Sequence, residues 1–149
     1  ILAQKVEQEA LDLRKFIVAG AISHVESFAT KQLRPEFQEV GGIEEELEKV
    51  GFDGRPSKEL LQRVEKQTKS GADAIARTRQ HAGQVEKDAA TFEAEPEEKE
   101  RINQFIAHLR DGADMLKSRM NVIKEWMDAK RQLQEEEDKQ QRGPNLNLL

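Results

Sequence analysis

A chain of 149 residues has about the commonest length of a single domain, and equal shares of apolar and charged residues, 36% each, suit long helices better than a compact globule. The net charge of −5 argues against a nucleic-acid-binding protein, which normally carries a basic excess on some face. The absence of cysteine excludes a structural disulfide, a thiolate zinc site and a cysteine nucleophile.

The first predicted element is a helix over residues 1–33, which Pro35 ends or kinks because proline disfavours helix in the residue before it. Two neighbouring apolar stripes run along this helix, which indicates burial on more than one side, at least from Phe16 to Ala29. We therefore expect it to lie centrally, packed against both of the long helices that follow. The stripes are Val6, Ala10, Leu13, Ile17, Ala21 and Phe28, and beside them Leu11, Val18, Ile22, Val25 and Ala29.

Residues 36–51 are the least regular part of the chain, and whether they form a short fourth helix stays open. Gly41 and Gly42 predict a break, whereas Ile43, Leu47 and Val50 fit one face of a helix. Residues 51–56 predict a loop, and Ser57 is a good N-cap for the next helix.

Two long stretches then carry hydrophobic seams at coiled-coil spacing, alternating steps of three and four residues. They predict helices over 58–92 and 97–142, joined at Pro96 into a helical hairpin, with Gly143-Pro144 as the helix stop. The seams are Leu61, Val64, Thr68, Gly71, Ile75, Thr78, Ala82, Val85, Ala89 and Phe92, and Ile102, Ile106, Leu109, Ala113, Leu116, Met120, Ile123 and Met127.

The predicted fold is thus all-α: an elongated antiparallel bundle of three long helices with coiled-coil-like packing. Residues 1–142 form the bundle domain and residues 143–149 a C-terminal tail. The core should be centred on the last helix, with Ile106, Leu109, Leu116 and Ile123 buried. The chain starts at Ile1 rather than methionine, so we expect it to be a fragment or a processed product.

The sequence offers little that could support catalysis. The histidines His24, His81 and His108 lie on three different predicted helices, and none is preceded by the Glu-x-x-His pattern of di-iron bundles. Motifs of serine nucleophiles and phosphate-binding glycine loops are missing. We predict no enzyme activity, no catalytic residues, no cofactor and no metal site.

The last predicted helix is broader on its apolar side than its seam requires. Packing within the core is the simpler interpretation of its Trp126 and its methionines, and an adaptable binding surface is the alternative. If part of this face stays uncovered, it binds a protein partner or a second copy. The candidate partner-binding residues are Met115, Val122, Trp126, Leu133, Leu146, Leu148 and Leu149.

The expected function is therefore protein–protein interaction: a cytoplasmic scaffold or assembly module, self-associating as a homodimer or holding a protein partner, without nucleic acid. The alternative is a peripheral membrane-binding bundle that contacts anionic lipid. Arg63, Lys66 and Lys69 would supply that contact, although a mixed, solvated face is the simpler interpretation of these residues.

Overall fold

The computed structural model describes residues 2–91 and 95–147. For residues 11, 13–18, 21, 25 and 142–147 it describes the backbone but not the side chains. The described residues form α-helices and no strand. The helices pack against one another as an all-α bundle, which confirms the predicted fold class. They are α1 (Leu2–Gln32), α2 (Arg34–Val50), α3 (Lys58–Ala90) and α4 (Pro96–Asn147).

The hairpin of α3 and α4 is the framework of the bundle and its most extensive helix–helix contact. Ser57 caps α3 as predicted, since its hydroxyl oxygen accepts a hydrogen bond of 3.1 Å from the Leu60 amide. The α4 seam is confirmed, because all four predicted core residues are at most 5% exposed. These are Ile106, Leu109, Leu116 and Ile123.

The α3 seam is confirmed over most of its length: Gly71, Ile75, Thr78 and Ala82 are buried. Val64, Val85 and Ala89 are partly buried against the core, and Phe92 lies outside the described residues. At the N-terminal end, Leu61 and Thr68 are exposed, and Leu60 and Gln67 take their places in the core. The reason is helical phase. Leu60 lies 18 residues before Thr78, five turns of a straight α-helix of 3.6 residues per turn. A heptad repeat assumes 3.5 residues per turn and therefore selects Leu61, which is rotated by about 100°.

The open question of a fourth helix is answered by α2, and the predicted break at Gly41-Gly42 is wrong, because both glycines lie inside this helix. Each glycine costs helix stability of up to about 1 kcal/mol relative to alanine. Val40, Ile43 and Leu47 are buried against the hairpin, and their burial outweighs that cost.

The first helix contacts both α3 and α4, as predicted, but α2 supplies more of the main core. At the N-terminal end of α1 the described side chains, from Leu2 to Ala10, are exposed. Its packed residues lie near the C-terminal end, where Ile22, Phe28 and Ala29 contact the core. Burial on more than one side was predicted at least for residues 16–29, where the side chains of residues 16–18, 21 and 25 lie outside the described residues.

The far end of α4 also differs from the prediction. The helix continues through Gly143 and Pro144 to Asn147, five residues past the expected end at Arg142. Along the part of the chain that the structure describes, no helix combines the length and the apolar character needed to cross a membrane.

Candidate functional site

The predicted partner-binding residues of α4 share one exposed face. Met115, Val122 and Leu133 are 60%, 64% and 38% exposed, and Trp126 is half-buried. Steps of seven, four and seven residues keep these four side chains on one line along the helix. The side chains of Leu146, Leu148 and Leu149, the other predicted partner-binding residues, lie outside the described residues.

This exposed line runs directly beside the buried seam of α4. Met115 and Val122 each precede a core residue, Leu116 and Ile123, by one position, which is a rotation of about 100° around the helix. The core residues point into the hairpin, so their neighbours emerge where α4 borders α2. The core of the bundle therefore does not bury all of the apolar residues on this side of α4.

An apolar groove of about 270 Å³ lies at this border between α2 and α4. Val122, Ile123 and Trp126 form its α4 wall, and Leu47 contributes from α2. Two acidic side chains, Glu44 and Glu48, complete the α2 wall. We call this depression the α2–α4 groove. Two of its six lining residues are predicted partner-binding residues.

Arg119 ties the two walls together on the N-terminal side of the groove along α4. Its Nε donates a hydrogen bond of 2.8 Å to Glu44 Oε1, and its Nη2 donates to the same oxygen. The guanidinium carbon also lies 5.7 Å from the centroid of the Phe37 ring, within cation–π range. These contacts bridge α2 and α4 beside the groove.

Lys130 fixes the other end of the groove. Its ammonium group donates to the backbone carbonyls of Gly51, at 2.6 Å, Phe52, at 3.2 Å, and Gly54, at 2.6 Å. The same nitrogen lies 4.7 Å from the Trp126 ring centroid. Gly51 has a φ of +72°, a conformation that favours glycine, and its carbonyl points at the lysine. The loop after α2 is therefore clamped onto α4.

The clamped loop extends the apolar surface beyond the groove. Phe52 is 68% exposed and lies with Leu133 at a smaller depression of about 100 Å³. The exposed apolar line on α4 therefore continues from Met115 past the α2–α4 groove to Leu133. Sequence reasoning missed the contribution of Phe52, because nothing in a loop composition predicts where the loop docks.

A second apolar cavity, of about 470 Å³, lies where α1, α2 and α4 meet. Leu33, Phe37, Phe105 and Leu109 line its apolar part, and Gly112 forms its floor on α4. A Cβ at Gly112 would approach Leu33 Cδ1 to 3.1 Å, so glycine permits the close approach of the helices there. Sequence reasoning did not find this cavity, because α2 was not assigned as a long helix.

The structure brings together two of the three histidines. The rings of His24 on α1 and His81 on α3 have centroids 4.9 Å apart, and Phe28 stacks on His81 at 4.0 Å. Burial, and then the charge of His24, lower the pKa of His81 below its ordinary value. His108 lies apart at the cavity of α1, α2 and α4. Within the described ranges, no three metal-ligating side chains lie close enough to hold a metal ion.

Two of the three basic residues predicted to contact lipid from α3 form ion pairs. Arg63 Nε donates to Glu39 Oε1 at 2.9 Å, and this hydrogen bond raises the pKa of Arg63 above its ordinary value. Lys69 pairs with Glu65 at 3.7 Å within the same helix. Of the predicted lipid-facing residues, two therefore already have acidic partners.

Comparison of the chain with protein-family models, with curated proteins and with solved structures finds no match. The function is therefore inferred from the geometry of the groove.

Proposed function

We propose that this chain is a non-catalytic protein-interaction module that holds a helix in the α2–α4 groove and along the apolar line of α4. The observation that supports the proposal is that Met115, Val122 and Leu133 remain exposed beside a groove whose walls are fixed. Contiguous exposed apolar surface usually marks an interaction site. Grooves between helices commonly receive the apolar face of another helix.

The occupant would be a helix of a second copy or of a different protein, so that the module serves as a scaffold. Val122 would lie at the centre of the contact and Trp126 would act as its aromatic anchor, the residue type that most often dominates binding energy. Arg119 and Lys130 would keep the groove in its bound shape and so lower the entropy cost of binding.

The test uses Trp126, the only tryptophan of the chain, as the reporter. Light scattering of the concentrated protein measures self-association. In parallel, Trp126 emission is followed during titration with a helical peptide of about 18 residues, with leucine at heptad a and d positions and glutamine elsewhere. We expect either self-association or saturable peptide binding with a shift in Trp126 emission.

Val122→Glu supplies the decisive variant, because it places a charge in the groove without touching a buried residue. Leu61→Glu is the matched control: Leu61 is 46% exposed on α3, outside the groove. The proposal requires Val122→Glu to abolish association and Leu61→Glu to leave it unchanged. A protein that stays monomeric at high concentration and does not bind the peptide contradicts the proposal.

A second candidate function is peripheral membrane binding through the basic residues of α3. Of these, Lys66 is exposed and lies at a polar cleft between α2 and α3. Co-sedimentation with vesicles rich in anionic lipid tests this candidate, since an interaction module should stay in the supernatant.

We further propose that the module works in the cytoplasm, and fractionation of cells that express the chain tests that location.

A further inference from the structure

The borders of the α2–α4 groove are acidic on both sides. On α2, Glu48 lines the groove one position after the buried Leu47, and Glu45 lies one turn earlier on the outer side. On α4, Glu125 lies three positions after Val122, on the side away from α2. Glu45, Glu48 and Glu125 are all exposed, and none has an ion-pair or hydrogen-bond partner among the described residues.

Three cations beside these carboxylates already have partners. Arg119 is bound to Glu44, and the Lys130 ammonium donates to three backbone carbonyls. Lys49, one position after Glu48, pairs with Glu46 at 3.5 Å. None of them can neutralise the three outer carboxylates without leaving its present partners. The apolar groove is thus flanked by negative charge that the chain itself does not compensate.

We propose that the occupant of the groove is an amphipathic helix of a partner protein whose apolar stripe is flanked by lysine or arginine. This inference rests on the proposed function and names the chemistry of the partner. Leucine-type residues would fill the line from Met115 to Leu133, which spans about 27 Å, or about five helical turns. The flanking cations would meet Glu45 and Glu48 on one side and Glu125 on the other.

A second copy of the chain is a poorer match for this charge pattern. The exposed N-terminal turns of α1 carry Leu2 and Val6 on one face, but Lys5 there is outnumbered by Glu7 and Glu9. Docked into the groove, that segment would bring carboxylates toward carboxylates, which opposes association. This charge pattern therefore favours a different protein over the N-terminal turns of a second copy.

Three peptides of about 18 residues test the inference. All three have leucine at the same heptad positions. They differ at the flanking positions, which carry lysine in the first peptide, glutamine in the second and glutamate in the third. Their affinities are measured through Trp126 emission at low and at physiological salt. We expect the lysine peptide to bind on the order of tenfold more tightly than the glutamine peptide, and the glutamate peptide to bind most weakly. The lysine advantage should shrink as salt is added, because salt screens exposed charges.

The matched variants separate local charge from net charge. Glu45→Gln, Glu48→Gln and Glu125→Gln together should remove most of the lysine advantage. Glu7→Gln, Glu9→Gln and Asp73→Asn together change the net charge equally but lie outside the groove, and should preserve it.

The outcomes distinguish this inference from the proposed function. Equal binding of all three peptides, still lost in Val122→Glu, would overturn the charge inference and leave the groove as a docking site. A lysine advantage that the two triple variants reduce equally would also overturn it, since it would reflect net charge alone. Failure of every peptide to bind contradicts the inference, and self-association of the chain in the same samples would then identify a second copy as the occupant.

Discussion

The imidazole rings of His24 and His81 meet edge to face across the contact between α1 and α3, with their planes inclined by 65°. Phe28, one turn after His24 on α1, stacks on the same His81 ring. His81 Nε2 is buried and has no hydrogen-bond partner among the described residues. The packed end of α1 is thus joined to the hairpin through a pair of imidazole rings.

We predict that acid weakens the attachment of α1. The pKa of His81 is lowered by burial and by His24, so the folded chain binds a proton less readily than the unfolded chain. Above about pH 6.5 both states are neutral and the full stability is present. As the pH falls through that value towards the lower folded pKa, the unfolded state gains protons first and stability is lost.

Urea unfolding between pH 7.5 and pH 5 measures this loss, and His81→Gln should reduce its slope. His108→Gln is the matched control, because it removes an exposed imidazole that has no ring partner among the described residues. An identical pH dependence in the parent protein and in His81→Gln would show that the imidazole pair is not responsible.

We predict that Leu116→Ala lowers the free energy of unfolding by about 2–5 kcal/mol, because the leucine is fully buried between the helices of the hairpin and the substitution leaves a cavity. The denaturant midpoint measures the effect. Leu61→Ala is the control on α3 and should cost much less, since Leu61 is 46% exposed. Equal costs for the two variants would mean that the α4 seam is not the core.

The comparison of Leu116 with Leu61 also shows which part of the fold the sequence could predict. The α4 seam is predictable, because its residues are large and apolar. An error of one position in helical phase would place charged residues in the core. On α3 the seam residues are mostly small or polar. At the N-terminal end of this helix, the sequence therefore fits a heptad repeat and a straight helix of about 3.6 residues per turn nearly equally well. Leu61 and Leu60 are adjacent, and only packing decides between them.

Contacts between residues of different helices could not be predicted from the sequence, for a different reason. The contact of His24 with His81 depends on where α1 crosses α3, and no spacing within either helix encodes that crossing. Gly41 and Gly42 mislead because glycine disfavours helix locally, whereas burial of the neighbouring Val40 and Ile43 decides the outcome. For the candidate site, the sequence predicted the α4 residues, but the groove also needs Leu47 from α2.

We predict that Thr78→Val stabilises the protein by about 1 kcal/mol. Thr78 is fully buried, and its hydroxyl has no hydrogen-bond partner among the described residues. Valine has nearly the same shape and removes an unsatisfied polar group. Thr68→Val serves as the control, because the exposed Thr68 hydroxyl donates to the Val64 carbonyl at 2.7 Å. A lower denaturant midpoint for Thr78→Val would indicate that the hydroxyl is satisfied in solution.

We predict that Lys130→Met loosens the loop after α2 and lowers the free energy of unfolding by about 1–3 kcal/mol, because the carbonyls of Gly51, Phe52 and Gly54 lose their shared donor. Hydrogen exchange of residues 51–55 should accelerate at the same time. Lys124→Met, at an exposed position of α4, should change neither quantity. Unaltered exchange of the loop in Lys130→Met would refute the clamp.

The central claim is that partners dock on the exposed line of α4 beside α2, and hydroxyl-radical footprinting tests it most directly. The chain is oxidised alone, and then with a saturating amount of the lysine-flanked peptide. We expect Met115, Val122 and Leu133 to be protected from oxidation in the bound sample, and Leu2 and Leu61 to be oxidised as before. Protection at Leu2 or Leu61 with unchanged oxidation along the α4 line would contradict it.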